Sequence, residues 1–304
     1  MPQAIHESTA FNSRNRKVAI HCVFSLKGTR IGVFLFSLFY AENPFNFSSF
    51  LDKAKDTHYN SIKVPWGKFS HLRFILMSNP FLPLLHRNFR EEGPLNICFF
   101  GDSITQGCFE KDTCDQISVY HHVLGEMLAK AFPAMPLNII NSGRGGDTTT
   151  DALHRIDRDV LCHRPHITVV YFGTNDVWDD DLSTFTKNLA EIVRLLKQSG
   201  SLVLLMTGTH MNKKVRVGLS PDHAEIAEKM AVRQHSGKVA NVFAITRDFA
   251  LQNNIPLLDL YTHYSELEAN GVDTDTLLAN GINHPTREAH AMFAQKLFTI
   301  FTQN

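Results

Sequence analysis

The chain has 304 residues, 43% of them hydrophobic, enough for one large cored domain or for a medium domain with a small one beside it. Lys+Arg and Asp+Glu balance at 30 each, and the basic residues form no aromatic-interleaved patch, so neither nucleic acid nor an anionic membrane is indicated as partner. No apolar run reaches the roughly 18 residues that a membrane-spanning helix requires.

Residues 1–16 are polar and read as a loose N-terminus. Val18–Ser25 and Ile31–Tyr40 are rich in β-branched and aromatic residues, with Lys27-Gly28-Thr29-Arg30 between them, and predict a hairpin. Ser61–Trp66 and Leu72–Met77 predict two more strands, so residues 17–90 read as a small β-rich domain or subdomain. Packing is its default role, with ligand binding the alternative. Ile31–Tyr40 follows Lys27 and Arg30 and also resembles a late signal-peptide core, but a good cleavage site is missing.

From residue 94 onward the pattern becomes strand, loop, helix. The predicted strands are Leu95–Phe100, Leu137–Ile140, Ile167–Phe172, Ser201–Met206 and Ile255–Leu260. Helical spacing marks Ile117–Phe132 and Leu182–Gln198. It also marks 221–252, with Gly237 as a break, and a last helix that follows Pro285. Apolar strands alternating with helices predict a parallel sheet covered on both faces. Ligands of such sheets bind beyond the carboxyl ends of the strands.

Five cysteines at irregular spacings (Cys22, Cys98, Cys108, Cys114, Cys162) are not a disulfide framework, and the count leans toward a reducing, cytoplasmic setting, with secretion as the other reading. Cys108 and Cys114 are near enough to bridge in an oxidising one. Despite 16 His residues, no zinc spacing occurs, and Cys162, His163 and His166 read as an incidental loop.

The chemistry-bearing residues follow the strands, as the sheet rule demands. Gly101-Asp102-Ser103 places a serine at a strand-to-helix turn, where it is either an exposed nucleophile or a cap. Asn141-Ser142-Gly143-Arg144-Gly145-Gly146-Asp147 lacks the Lys-Ser/Thr of a phosphate loop, and an oxyanion-binding N–H at Gly143 fits better. Gly173-Thr174-Asn175-Asp176 offers the Asn175 amide as an oxyanion donor or a turn cap. His284, before Pro285, is a base candidate on the same rim.

The order of these four segments resembles the SGNH (GDSL-like) hydrolases, over about residues 94–304. The resemblance implies a flavodoxin-like three-layer α/β/α sandwich with a five-stranded parallel sheet, and chemistry that needs no metal or organic cofactor. It implies Ser103 as nucleophile and His284 as base, with Ser103 N–H, Gly143 N–H and the Asn175 amide as oxyanion hole. The expected substrate is a small-molecule or carbohydrate ester, with short acyl groups on sugars first. Lysophospholipid or thioester hydrolysis comes next, and a weakened, non-catalytic binder is the alternative of a different class.

One position departs from the pattern. Many relatives with an Asn-His-Pro loop carry Asp four residues before the His, and here that residue is Asn280. The carboxylate normally orients the imidazole and stabilises its charged form. Four arrangements stay open. In the first, a backbone carbonyl takes the His284 N–H and Asn280 is incidental, as in some carbohydrate esterases of the family with an N-terminal β domain. In the second, Asp275 or Asp273 serves instead. In the third, catalytic power is lost, and in the fourth the Asn280-Gly281 step deamidates to an acid.

Overall fold

Five runs become the strands of one parallel sheet, and the three central ones, Leu95–Gly101, Ile167–Tyr171 and Leu202–Met206, are buried on both faces along most of their length. The computed structural model describes residues 79–303, and before them the strands Thr9–Phe11, Lys17–Leu26 and Thr29–Phe39. These three, β1 to β3, form an antiparallel sheet in which β2 pairs with β3 from Lys17↔Phe39 to Leu26↔Thr29. The hairpin expected here is therefore present. Thr9–Phe11, placed by composition in the loose terminus, adds a third strand. Ser61–Trp66 and Leu72–Met77 lie outside the described residues.

The second unit runs Asn79–Gln303. In chain order it comprises α1 (Leu82–Leu85), α2 (Phe89–Glu92), β4 (Leu95–Gly101), α3 (Ser103–Gln106), α4 (Tyr120–Ala131), β5 (Leu137–Gly143) and α5 (Thr149–Asp159). There follow β6 (Ile167–Tyr171), α6 (Ser183–Gln198), β7 (Leu202–Met206), α7 (Pro221–His235), α8 (Lys238–Gln252), β8 (Leu257–Leu258), α9 (Leu260–Ala269) and α10 (Arg287–Thr302). No helix among the described residues is long and apolar enough to cross a membrane.

The strand order is β5-β4-β6-β7-β8, all parallel. This is the flavodoxin-like order, whose switch point falls between β4 and β6. Alternation along β4 sends Ile97 and Phe99 into one core, with Tyr120, Leu124, Phe293 and Leu297, and Cys98 and Phe100 into the other, with Ile156, Leu189, Ile192 and Val242. Two cores on one sheet make the three-layer α/β/α sandwich.

Two expected boundaries move, each for a local reason. The strand expected at Ile255–Leu260 is only Leu257–Leu258, because Asp259 caps α9 by accepting the Thr262 N–H. The helix expected from Ile117 starts at Tyr120, because the Asp115 carboxylate takes the Ile117 and Ser118 N–H groups, both at 2.9 Å. The last helix follows Pro285 as expected, with Thr286 as its cap. Gly237, at φ 81°, does separate two helices within 221–252. Residues 79–93, counted with the β-rich region or its linker by sequence, instead pack into the sandwich. Phe81 stacks on Phe301 with ring centroids 4.9 Å apart, both side chains buried.

Phe81→Ala is expected to cost about 3–5 kcal/mol of unfolding free energy in urea titration, the range for a truncated core aromatic. A loss below about 1 kcal/mol would mean that this segment does not belong to the core.

Candidate active site

Ser103 opens α3 immediately beyond β4. Asp102 accepts the Ile104 N–H at 2.9 Å as N-cap, and Gly107, left-handed at φ 96°, ends the helix after one turn. The helix sits tightly on the strand ends. A Cβ on Gly101 would lie 2.1 Å from Thr105 Oγ1, and one on Gly143 would lie 2.1 Å from the Gln106 nitrogen. Only glycine permits either approach. Asp102 is fully buried, and burial pushes its carboxyl up to about 7.

The structure brings Ser103 and His284 together, 181 residues apart in sequence, with Oγ 3.0 Å from Nε2. Nδ1 of His284 lies 3.0 Å from the Phe109 carbonyl oxygen. A carbonyl only accepts, so Nδ1 carries the proton and Nε2 presents its lone pair to the Ser103 hydroxyl. Burial holds the imidazole below its ordinary pKa, outweighing the Phe109 bond, which acts in the opposite direction.

Asn280 makes no hydrogen bond to the ring, whose nitrogens face Ser103 and Phe109. Its Oδ1 accepts the backbone N–H groups of Ile282, Asn283 and His284 at 2.9–3.0 Å, and its Nδ2 donates to Asn283 Oδ1. It is the staple of the histidine loop. Arg216 supports the same loop by donating to the Leu278 and Ala279 carbonyls. The carboxylates nearest in sequence point elsewhere. Asp275 accepts from the Lys213 and Lys214 backbones, and Asp273 pairs with Lys214.

The glycine loop departs from the sequence expectation. The Gly143 N–H is spent on Asn141 Oδ1 at 2.9 Å, within its own turn. Gly145 N–H donates to Gln106 Oε1, and a Cβ on Gly145 would lie 3.9 Å from the Ser103 Cβ, so this part of the loop flanks the serine. Gly146, at φ 79°, donates its N–H to no acceptor among the described residues. Asn175 follows the end of β6, the position from which an oxyanion donor is expected. One of its two amide hydrogens goes to the Asp147 carbonyl at 2.9 Å, which leaves the other free to act.

Several supporting residues carried no clear signal in the sequence. Arg155, buried on α5, pairs with Asp147 and donates to the Ser142 and Gly101 carbonyls, tying β4, β5 and the glycine loop together. Asp176 accepts the Thr149 N–H and hydroxyl at the start of α5. The Thr148-x-x-Asp151 capping box was the legible sign of that helix. Cys162 donates to the Arg158 carbonyl and His166 Nδ1 accepts the Asn96 N–H. Among the described residues no group of three or more His, Cys, Asp or Glu could hold a metal ion.

Because Asn280 faces backbone N–H groups, Asn280→Asp is expected to leave kcat within about threefold of the parent in a steady-state assay. The scale to judge it against is the roughly 10⁴ carried by a ring-bound triad carboxylate. A gain above about tenfold would show that the new acid reaches the ring.

The model of the GDSL-like Lipase/Acylhydrolase family matches residues 99–292. An uncharacterized lipoprotein of Bacillus subtilis, YqeF, is 27% identical over 63% of this chain and 81% of its own. An acetylxylan esterase of Geobacillus stearothermophilus is 24% identical over 56% of this chain and 78% of its own. The solved lipase/acylhydrolase of Enterococcus faecalis shares the fold, with a TM-score of 0.51 at 22% identity over 67% of this chain and 93% of that one. The match over most of the second unit, on a sandwich of the flavodoxin-like order, means that the chain belongs to the GDSL-like lipase/acylhydrolase family and is an esterase/lipase of the serine-hydrolase type.

Proposed function

We propose that this esterase removes short acyl groups, acetyl first, from carbohydrate hydroxyls through an acyl-serine intermediate on Ser103. The observation that carries the reading is the Ser103 Oγ–His284 Nε2 contact of 3.0 Å, with Nδ1 committed to a carbonyl. His284 takes the serine proton as Oγ attacks the ester carbonyl. The oxyanion receives the Ser103 N–H, the Gly146 N–H and the free hydrogen of the Asn175 amide, each worth about 3–4 kcal/mol. Gly146 replaces Gly143 in this role because its N–H is unspent. His284 then protonates the departing alcohol and activates water for deacylation.

A dyad with a carbonyl in place of the carboxylate avoids part of the penalty seen when Asp becomes Asn in a triad. That penalty arises from the wrong tautomer, and the Phe109 carbonyl enforces the right one. The choice of a sugar alcohol is supported by the acetylxylan esterase relative. The polar or small residues beside the serine, Gln106 and Gly145, also favour it.

Ser103→Ala is expected to lower kcat on 4-nitrophenyl acetate and on acetylated xylo-oligosaccharide by about 10⁴ or more, with unchanged circular dichroism. Activity near the parent's would remove Ser103 as nucleophile. Acetyl esters should exceed octanoyl esters in kcat/KM, and the reverse order would overturn the substrate class. The base must be neutral, and burial depresses its pKa. Activity should therefore persist as pH falls through the ordinary histidine value of about 6.5 and be lost only below it. The acid limb of kcat/KM reads this directly, and a midpoint above that value would contradict the assignment.

A further inference from the structure

Residues 107–115, between the serine helix and α4, form a small hairpin. Phe109 N–H donates to the Thr113 carbonyl at 3.0 Å and Asp115 N–H to the Gly107 carbonyl at 2.8 Å, with Cys108 and Cys114 opposed between them. Asp112, left-handed at φ 55°, lies in the turn. The cysteines thus occupy the non-hydrogen-bonded kind of antiparallel pair, where Cα atoms approach to about 4.5 Å and side chains lie closest. That separation falls within the roughly 4.4–6.8 Å that a disulfide spans. Both are free thiols, with their sulfurs 3.5 Å apart.

The pair stands between the two halves of the site. Cys108 N–H donates to the Ser103 carbonyl at 2.9 Å, and the next residue, Phe109, supplies the oxygen that holds His284. From outside, Arg287 grips the same hairpin, donating to Asp115 and Glu110 and lying over the Phe109 ring at 4.5 Å. The other cysteines among the described residues are not so placed. Cys98 is buried against Ser142, and Cys162 donates to the Arg158 carbonyl.

We propose that Cys108 and Cys114 are a reversible disulfide site whose closure pins the Phe109 carbonyl against His284. The consequence for catalysis rests on the dyad reading above; the bond itself does not. The oxidant is a low-molecular-weight disulfide of the glutathione type. The exposed Cys114 thiolate attacks one of its sulfurs, making a mixed disulfide and expelling one thiolate. Cys108 then gives up its proton and attacks the Cys114 sulfur, forming the internal S–S bond and expelling the second thiolate. Two electrons and two protons pass from the cysteine pair to the small disulfide. Cys108 acts second because burial, with Cys114 alongside, keeps it protonated, its pKa pushed up to about 12.

The test equilibrates the full chain in glutathione buffers of increasing oxidised fraction, quenches with acid, and reads intact mass and non-reducing peptide maps. The same samples give Tm, and kcat and KM on 4-nitrophenyl acetate. The expected result is a loss of two hydrogens mapped to Cys108–Cys114, reversed by dithiothreitol. Tm should rise by about 5 °C, as for a short closed loop. kcat should be about two- to tenfold higher in the oxidised form with KM unchanged, because the link affects ring alignment and not substrate contact. Cys114→Ser should behave as the reduced form at every ratio. No link, or a link between any other pair, overturns the site. A link that leaves kcat unaltered in an active enzyme overturns its coupling to His284. If the chain hydrolyses no ester, the mass and Tm readings still decide the bond, and it is the dyad reading that fails.

Discussion

A carbonyl oxygen can accept a hydrogen bond but never donate one, and at Phe109 this asymmetry sets the protonation of everything around His284. The ring must place its proton on Nδ1 to satisfy that oxygen, which leaves Nε2 as the acceptor facing Ser103. A carboxylate would impose the same tautomer and would add a full negative charge beside the imidazolium. The carbonyl supplies a dipole only. In the proposed mechanism, stabilisation of the reacting charges then falls more heavily on the preorganised N–H donors, which cost no reorganisation during the reaction. It also frees position 280 from electrostatic duty, and Asn280 serves as the acceptor for three successive backbone N–H groups of the histidine loop.

That arrangement needs a rigid floor, and the sheet provides it. β4 and β5 end side by side at Gly101 and Gly143, in register, and the missing side chains let one turn of helix rest directly on both. Arg155 then ties the two strand ends to Asp147, whose carbonyl orients Asn175. A buried guanidinium is costly unless nearly all its donors are used, and here it spans two strand ends and two carboxylates, Asp147 and Asp159. The donors of the glycine loop are thereby fixed relative to the serine.

What could be read from the sequence follows from the kind of atom involved. Strands such as Ile167–Tyr171 were legible because burial on both faces writes an unbroken apolar run. Ser103, Asn175 and His284 were legible because a parallel sheet sends the residues after its strands to one rim. α5 was missed because its buried face is half polar, Thr149 and Arg155 sharing it with Ala152 and Ile156, so no apolar stripe marks the helix. Gly143 was named as a donor, and that its N–H is already spent on Asn141 Oδ1 is a matter of hydrogen bonding that composition does not encode. The partner of His284 was illegible for the same reason. Phe109 acts through its main chain, and every residue has a carbonyl. The side chain that did attract notice, Asn280, turned out to hold the loop and not the ring.

The two ends of the second unit lie against each other. Asn79 donates its side-chain amide to the carbonyls of Ile300 and Gln303, and Phe81 lies flat on Phe301. Chain order is therefore a matter of history more than of architecture for this unit. A short linker could join the ends, and the chain could be opened instead beside the fully exposed Val217. Such a circular permutant would keep the strand order and both cores while exchanging which of serine and histidine is synthesised first. The same proximity makes the unit suited to insertion within a host protein, since both attachment points emerge from one place.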